Sequence, residues 1–181
     1  MTEATPLDPR GHYGLAKILS ETIVSRASTP RGIETVIARP FNHIGTGMRP
    51  DLVIPSIIRR VRDAADRDTI EMAGLDSVRD FLDVDDIVDA YFALLELPEL
   101  PQPTFNVASG VATSIGDIVR MVAKILDKPI GDVHFAAGAN SGDDTIAVVG
   151  DADRLRRTTD WAPRIGLKES LGKLVADFSE T

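Results

Sequence analysis

Short runs of β-branched and aromatic residues alternate with helical stretches along most of this chain, and that alternation most narrows what it can fold into. "IETVIARP", "TIEMAG", "TFNVAS", "DVHFAA" and "TIAVVG" each carry the compact apolar pattern of a strand, with Ile33, Val36, Ile37 and Ala38 making the first of them. Between them the apolar spacing changes to three and four residues. It does so at Leu15, Ile18, Leu19, Ile23 and Val24 in a helix predicted over 12–27, then in a second helix over roughly 52–65 and a third from about Asp85 to Leu95. A fourth lies in "TSIGDIVRMVAKILDK", with Thr113 or Ser114 as its cap, and two more close the chain in "DADRLRRTTDW" and "LKESLGKLVADF". "MTEATPLDPRG", "STPRG", "PELPQP" and "GANSGDD" punctuate the pattern as loops. Strand and helix in alternation predict an α/β fold with parallel pairing.

The 181 residues suit one domain or slightly more, and an apolar share of 43% supplies a core. With 28 acidic against 20 basic side chains, a formal charge of −8 and no basic block, nonspecific nucleic-acid binding is not expected. There is no cysteine, which removes disulfides, thiolate metal sites and cysteine nucleophiles. No apolar run approaches the roughly 18–20 residues of a membrane span, and "MTEATPLDPR" has no signal-peptide core, so no membrane association and a cytoplasmic address are expected.

"HYGLAKILSE" carries the most pointed chemistry. Tyr13 and Lys17, four residues apart, share one face of the first helix. An ammonium so placed favours phenolate, bringing a group that ordinarily ionises near pH 10 toward the range of a general acid or base. An ordinary exposed Tyr/Lys pair has the same spacing. Asp83, Asp85 and Asp86 in "DVDD" read as a solvated helix start, where carboxylates cap free N–H groups, rather than as a metal site. Trp161 with Pro163 is expected to pack the terminal helix.

Several stretches in order resemble the extended short-chain dehydrogenase/reductase family, the NAD-dependent epimerases and dehydratases of nucleotide sugars. "TPLDPRGHYGLAKILSE" is similar to the active-site helix with its proline-rich lead-in, Y-G-x-x-K and following glutamate. "TVIARPFNHIGTG" resembles the following strand and substrate loop, "VRDFLDVDDIVDAYFALLE" the R-D-F-x-x-V-x-D segment, and "TFNVASGVATSIGDIVRMVAKIL" the late strand and helix. "VVGDADRLRRTTDWAPRIGLKESLGKLVADF" is similar to the family's terminus, and "RPFNHIG" with "VVGD" looks most like its GDP-deoxyhexose reductases and dehydratases.

The resemblance implies roles at matching positions. Tyr13 would be the general acid/base and Lys17 its partner, which also bonds the nicotinamide ribose; Pro40, Phe41 and His43 would lie near the nicotinamide. Asn42 would donate to the nucleotide sugar, Leu52 and Val53 would pack on its base side, and Arg79 would pair bidentately with its diphosphate. Core packing for Leu52 and Val53, and an ion pair of Arg79 with Asp80 or Asp83, are the plainer alternatives. NAD or NADP is the implied cofactor, a GDP or UDP sugar the implied substrate, and the helix near His12 the implied surface for a homo-oligomer.

Two departures shape the expectation. The glycine-rich G-x-x-G-x-x-G loop and the catalytic Ser/Thr belong upstream of Tyr13, where only twelve residues stand. The chain is therefore expected to be the carboxy-terminal half of such an enzyme, with a partial Rossmann-type parallel sheet and a small α/β substrate-binding domain. On that reading residues 1–50 are the Rossmann remnant and 51–181 are mainly substrate domain, with about 78–110 returning to the sheet. Asn140, Ser141 and Gly142 stand where many members carry a second arginine for the diphosphate. The chain is either the substrate-binding and acid/base half of a reductase, epimerase or dehydratase, or a noncatalytic fragment or split-gene product that binds at most a nucleotide sugar or a partner chain.

Overall fold

Asp83 and Ser114 show how local chemistry starts the helices here. In the computed structural model, which describes residues 1–9, 11–28, 30, 32–99, 103–135 and 147–178, each side chain accepts a backbone N–H of the first turn that would otherwise be orphaned, Asp85 N for Asp83 and Asp117 N for Ser114. The expected loop at 138–144 and Asn140, Ser141 and Gly142 lie outside the described residues.

The elements keep the predicted helices, but a short strand forms inside the expected substrate loop and "TIAVVG" gives only a bridge among the described residues. They are α1 (Gly11–Ser28), β1 (Ile37–Pro40), β2 (Asn42–Ile44), α2 (Val53–Asp63), β3 (Ile70–Met72), β4 (Val78–Arg79), β5 (Phe81–Asp83) and α3 (Val84–Leu95). After them come β6 (Thr104–Val107), β7 (Thr113–Ser114), α4 (Ile115–Ile125), β8 (Val133–Phe135), α5 (Asp153–Thr159) and α6 (Leu167–Asp177). Pairing is parallel for β1 with β6, β2 with β5 and β3 with β8, and antiparallel for β4 with β7. Val148, in the "TIAVVG" run, bridges to Arg79 in parallel.

Two clusters of buried side chains result. One collects Ile44, the α2 stripe Ile54, Ile57, Ile58 and Val61, Phe81, and residues of β3, α4 and α6; the other collects Leu82, the inner faces of α3 and β6, Leu155 and Trp161. Phe81 and Leu82 are neighbours on β5 and point to opposite faces, so this three-residue strand is a wall shared by both cores. Each fully buried Ile, Leu or Phe contributes about 1.5–3 kcal/mol relative to exposure.

Three expectations need correction. Ile33 is 56% exposed and precedes the strand. Pairing begins where Ile37 N donates to Pro103 O, because the partner strand starts at Thr104. The "DVDD" carboxylates are not a solvated cluster, since Asp83 and Asp86 are buried and Asp85 is exposed. Asp83 Oδ2 accepts from Ser170 Oγ at 2.7 Å, and Asp86 accepts from the backbone N–H groups of Arg164 and Ile165, so long-range donors replace water. Trp161 packs with α3, β6 and α5 rather than on α6, and its indole N–H donates to Asp86 O at 3.0 Å.

The apolar residues of α1 also behave unexpectedly. Leu15, Leu19, Ile23 and Val24 are exposed, while Gly14, Ile18, Glu21 and Ala27 are the half-buried positions that meet the rest of the protein. The helix is therefore held by a glycine contact and an ion pair as much as by apolar burial.

Candidate active site

Gly14 brings the proline-rich lead-in onto α1. A Cβ at that position would stand 3.3 Å from Pro9 Cα, so the small residue permits residues 1–9 to lie along the helix beside Tyr13. The lead-in is fixed at its far end. The amino-terminal ammonium of Met1 donates to Val149 O at 2.6 Å, Asn106 Nδ2 donates to Met1 O at 3.1 Å, and Glu3 accepts Asn106 N at 2.9 Å.

Between lead-in, α1, the turn from β1 to β2 and the start of α2 lies a cleft of about 890 Å³. It is lined by Tyr13 and Lys17 from α1, by Pro40, Phe41, Asn42 and His43 from β1 and β2, and by Leu52 and Val53 at the α2 amino terminus. Eight of the nine predicted site residues thus share one lining. Arg79 is not among the described lining residues; it is half-buried on β4 and its Nη1 donates to Val78 O at 2.9 Å. Asp80 and Asp83 are committed to hydroxyl and backbone donors, Asp83 also to the Lys173 ammonium.

Within the cleft Tyr13 is 77% exposed, and the Lys17 ammonium lies 5.2 Å from the centre of its ring. This is cation–π range. Asn42 is oriented from below, where one amide N–H donates to Asp80 O at 3.0 Å and the second donor remains. The ring of Phe41 lies against Ala108 and Gly150, where a Cβ on residue 150 would come within 2.3 Å of Ala108 Cβ and 2.6 Å of the ring. The cleft therefore combines a phenol beside an ammonium, an oriented amide and apolar walls.

The model of the NAD dependent epimerase/dehydratase family matches residues 1–108. This chain belongs to that family. GDP-6-deoxy-D-mannose reductase of Pseudomonas aeruginosa is 32% identical over 173 residues, covering 94% of this chain and 56% of the relative. GDP-6-deoxy-D-talose 4-dehydrogenase of Aggregatibacter actinomycetemcomitans is 31% identical over 125 residues, covering 69% and 41%. The solved structure of RMD from Pseudomonas aeruginosa complexed with NADPH superposes with a TM-score of 0.85 at 30% identity, covering 98% of this chain and 59% of that one. The chain spans about half the length of the curated relatives it matches. The α/β fold is that of NAD-dependent epimerases, and the relatives are GDP-deoxyhexose and other nucleotide-sugar enzymes.

Two further residues of this cleft were not among the predicted site residues, although the glutamate was noted in the motif. Glu21 and Arg39 both line the cleft and form a bidentate pair, Arg39 Nε to Glu21 Oε1 at 2.8 Å and Nη2 to Oε2 at 2.6 Å. That hydrogen-bonded pairing raises the guanidinium's pKa further above its ordinary value, against the opposing effect of burial. The signal for Glu21 was present, since Tyr13, Lys17 and Glu21 stand at successive four-residue steps on one helix face. Nothing local announced Arg39, eighteen residues further on. Arg49 also lines the cleft, paired with Asp51 at 3.3 Å. No helix among the described residues is long and apolar enough to cross a membrane.

Proposed function

We propose that this chain is the nucleotide-sugar-binding and acid/base portion of a nicotinamide-dependent enzyme, of the GDP-4-keto-6-deoxy-D-mannose reductase type. The observation that carries the reading is the single cleft in which Tyr13 and Lys17 meet the Pro40–His43 turn and the start of α2. Tyr13 gives or takes the proton of a sugar hydroxyl or keto oxygen. Lys17 stabilises the phenolate form and is placed to bond a ribose hydroxyl. Asn42 offers its free N–H to the sugar nucleotide, and Leu52 and Val53 supply an apolar contact for the base. In this reading residues 1–50 belong to the dinucleotide-binding lobe, and 51–181 mainly to the substrate lobe, with about 78–110 returning to the first.

The apolar wall of Ile18, Phe41 and Phe81, with the donors of Tyr13 and Lys17, fits the nicotinamide-ribose end of NAD or NADP. The sequence contains no G-x-x-G-x-x-G loop to cradle the pyrophosphate. When bound, the cofactor supplies or accepts hydride at the sugar carbon bearing the oxygen that Tyr13 serves. A second reading is a noncatalytic chain that binds a nucleotide sugar or a partner without turning anything over.

Calorimetric titration tests the proposal. The 181-residue chain should bind GDP sugars saturably, and Asn42→Ala should weaken binding roughly two- to tenfold, the worth of one hydrogen bond. NADPH should give negligible heat. No binding of GDP or UDP sugars by the folded chain would sink the substrate assignment, and tight stoichiometric NADPH binding would sink the division of the cofactor site. Joining the chain to the cofactor-binding half of a relative separates the two readings, with turnover under the first and binding alone under the second.

We infer further that the exposed face of α1 is a self-association surface. Leu15, Leu19 and Ile23 are 47%, 53% and 65% exposed at four-residue steps, an apolar stripe of the kind that pairs helices. Ile23→Glu is expected to convert a dimer to a monomer in size-exclusion chromatography with light scattering. An unchanged mass would exclude this face.

A further inference from the structure

Lys17 has an acid within reach that it does not use. Glu21 stands four residues beyond it on the same helix face, the spacing at which Lys and Glu side chains pair across a turn, just as Tyr13 stands four residues before it. Yet the Lys17 ammonium makes no ion pair among the described residues and lies over the Tyr13 ring, at 5.2 Å from its centre. Both oxygens of Glu21 are instead taken by Arg39, whose planar fork matches a carboxylate in a way a lysine cannot. The pair is about three-quarters buried, with side-chain exposures of 23% and 24%, and Arg39 is further tethered by its contact with Glu3 O at 3.5 Å.

We propose that Arg39 is a positioning residue which withdraws Glu21 from Lys17 and so leaves the ammonium to Tyr13. This rests on the reading of Tyr13 and Lys17 as a proton-transfer pair. It goes beyond that reading by assigning the pair's electrostatic setting to a strand residue that touches neither. Among the described residues the other charged or titratable groups lining the cleft are the Met1 ammonium and Asp8 from the lead-in, His43 from β2 and Arg49 from the loop before α2, while Glu3 acts on Arg39. None of these sits on α1 one turn from Lys17. With Arg39 neutralised, Glu21 becomes the nearest acid on the helix face, and Lys17 divides its time between carboxylate and phenol.

The experiment follows the Tyr13 phenol by NMR of Cζ-labelled tyrosine across alkaline pH. The chain has two tyrosines, and burial pushes Tyr91 above the usual phenol range, so a Tyr91→Phe background makes the assignment certain. Arg39→Gln should raise the Tyr13 midpoint by roughly 0.2–0.4 of a pH unit, the worth of one helical ion pair turned against it. Glu21→Gln breaks the same pair but leaves Lys17 without a competitor, and the midpoint should not rise. An anchor that merely held α1 in place would make both variants rise alike. In a Lys17→Gln background Arg39→Gln should have no effect. Arg39→Met, which keeps the apolar stem, replaces Arg39→Gln if the latter lacks the wild-type far-UV spectrum.

Equal rises in the two single variants, no rise in either, or an Arg39 effect that survives loss of Lys17 would each overturn this inference alone. If Lys17→Gln itself leaves the Tyr13 midpoint in place, the proton-transfer reading falls together with it.

Discussion

Asp80→Ala is expected to remove about 4 kcal/mol or more of folding stability, measured by urea unfolding. Asp80 is completely buried, and its carboxylate accepts from Ser109 N at 2.9 Å, Ser109 Oγ at 2.6 Å, Gly110 N at 2.9 Å and Gly150 N at 3.1 Å. A hydrogen bond to a charged group is worth about 1.5–3 kcal/mol, and each donor stranded away from water costs about 1–3 kcal/mol. Losses of that size are a large part of the 5–15 kcal/mol typical of whole domains. The damage should also reach the cleft, because Asp80 N donates to Val148 O and Asp80 O holds the Asn42 amide. Asp80→Asn keeps the shape but turns an amide NH2 toward backbone donors, and about 2 kcal/mol should be lost there. A loss below about 1 kcal/mol in the alanine variant would show that water or neighbouring carbonyls re-satisfy those donors, and the hub would be no hub.

Tyr13→Phe is the second large effect. In an enzyme joining these residues to a cofactor-binding half, turnover should fall by about 10²–10⁴, the usual worth of a positioned acid or base. The ring that Lys17 rests against is retained, so the helix face and the Lys17 position should survive, and nucleotide-sugar affinity should change little. Rates near wild type would remove Tyr13 from the chemistry. A matched loss of affinity and rate would instead make it a binding residue.

Much of the cleft was legible because its parts lie within short windows. Tyr13 and Lys17 share a helix face by spacing, Pro40 to His43 follow one another at a strand end, and Leu52 and Val53 sit where α2 begins. The helix starts at Asp83 and Ser114 were readable for the same reason, since a cap acts within three residues. What failed was the reading of Asp83 and Asp86 as solvated. Asp80 takes donors 29, 30 and 70 residues away, and Asp86 takes them 78 and 79 residues away. In a one-dimensional reading such carboxylates look solvated. Ile33 erred in the opposite direction, apolar and β-branched yet placed where no neighbouring strand extends to cover it.

The alternation of strands and helices, the capped helix starts and the juxtaposition of a phenol and an ammonium were written in local sequence, because each depends on φ/ψ preferences or on spacing within one or two turns. Which carboxylates are buried, that Phe81 and Leu82 serve different cores, and that Arg39 occupies the acid one turn beyond Lys17 were settled only by the packed structure. Those outcomes depend on which distant donors arrive once the chain has closed on itself, and desolvation in the packed state, absent from any local window, sets their strength.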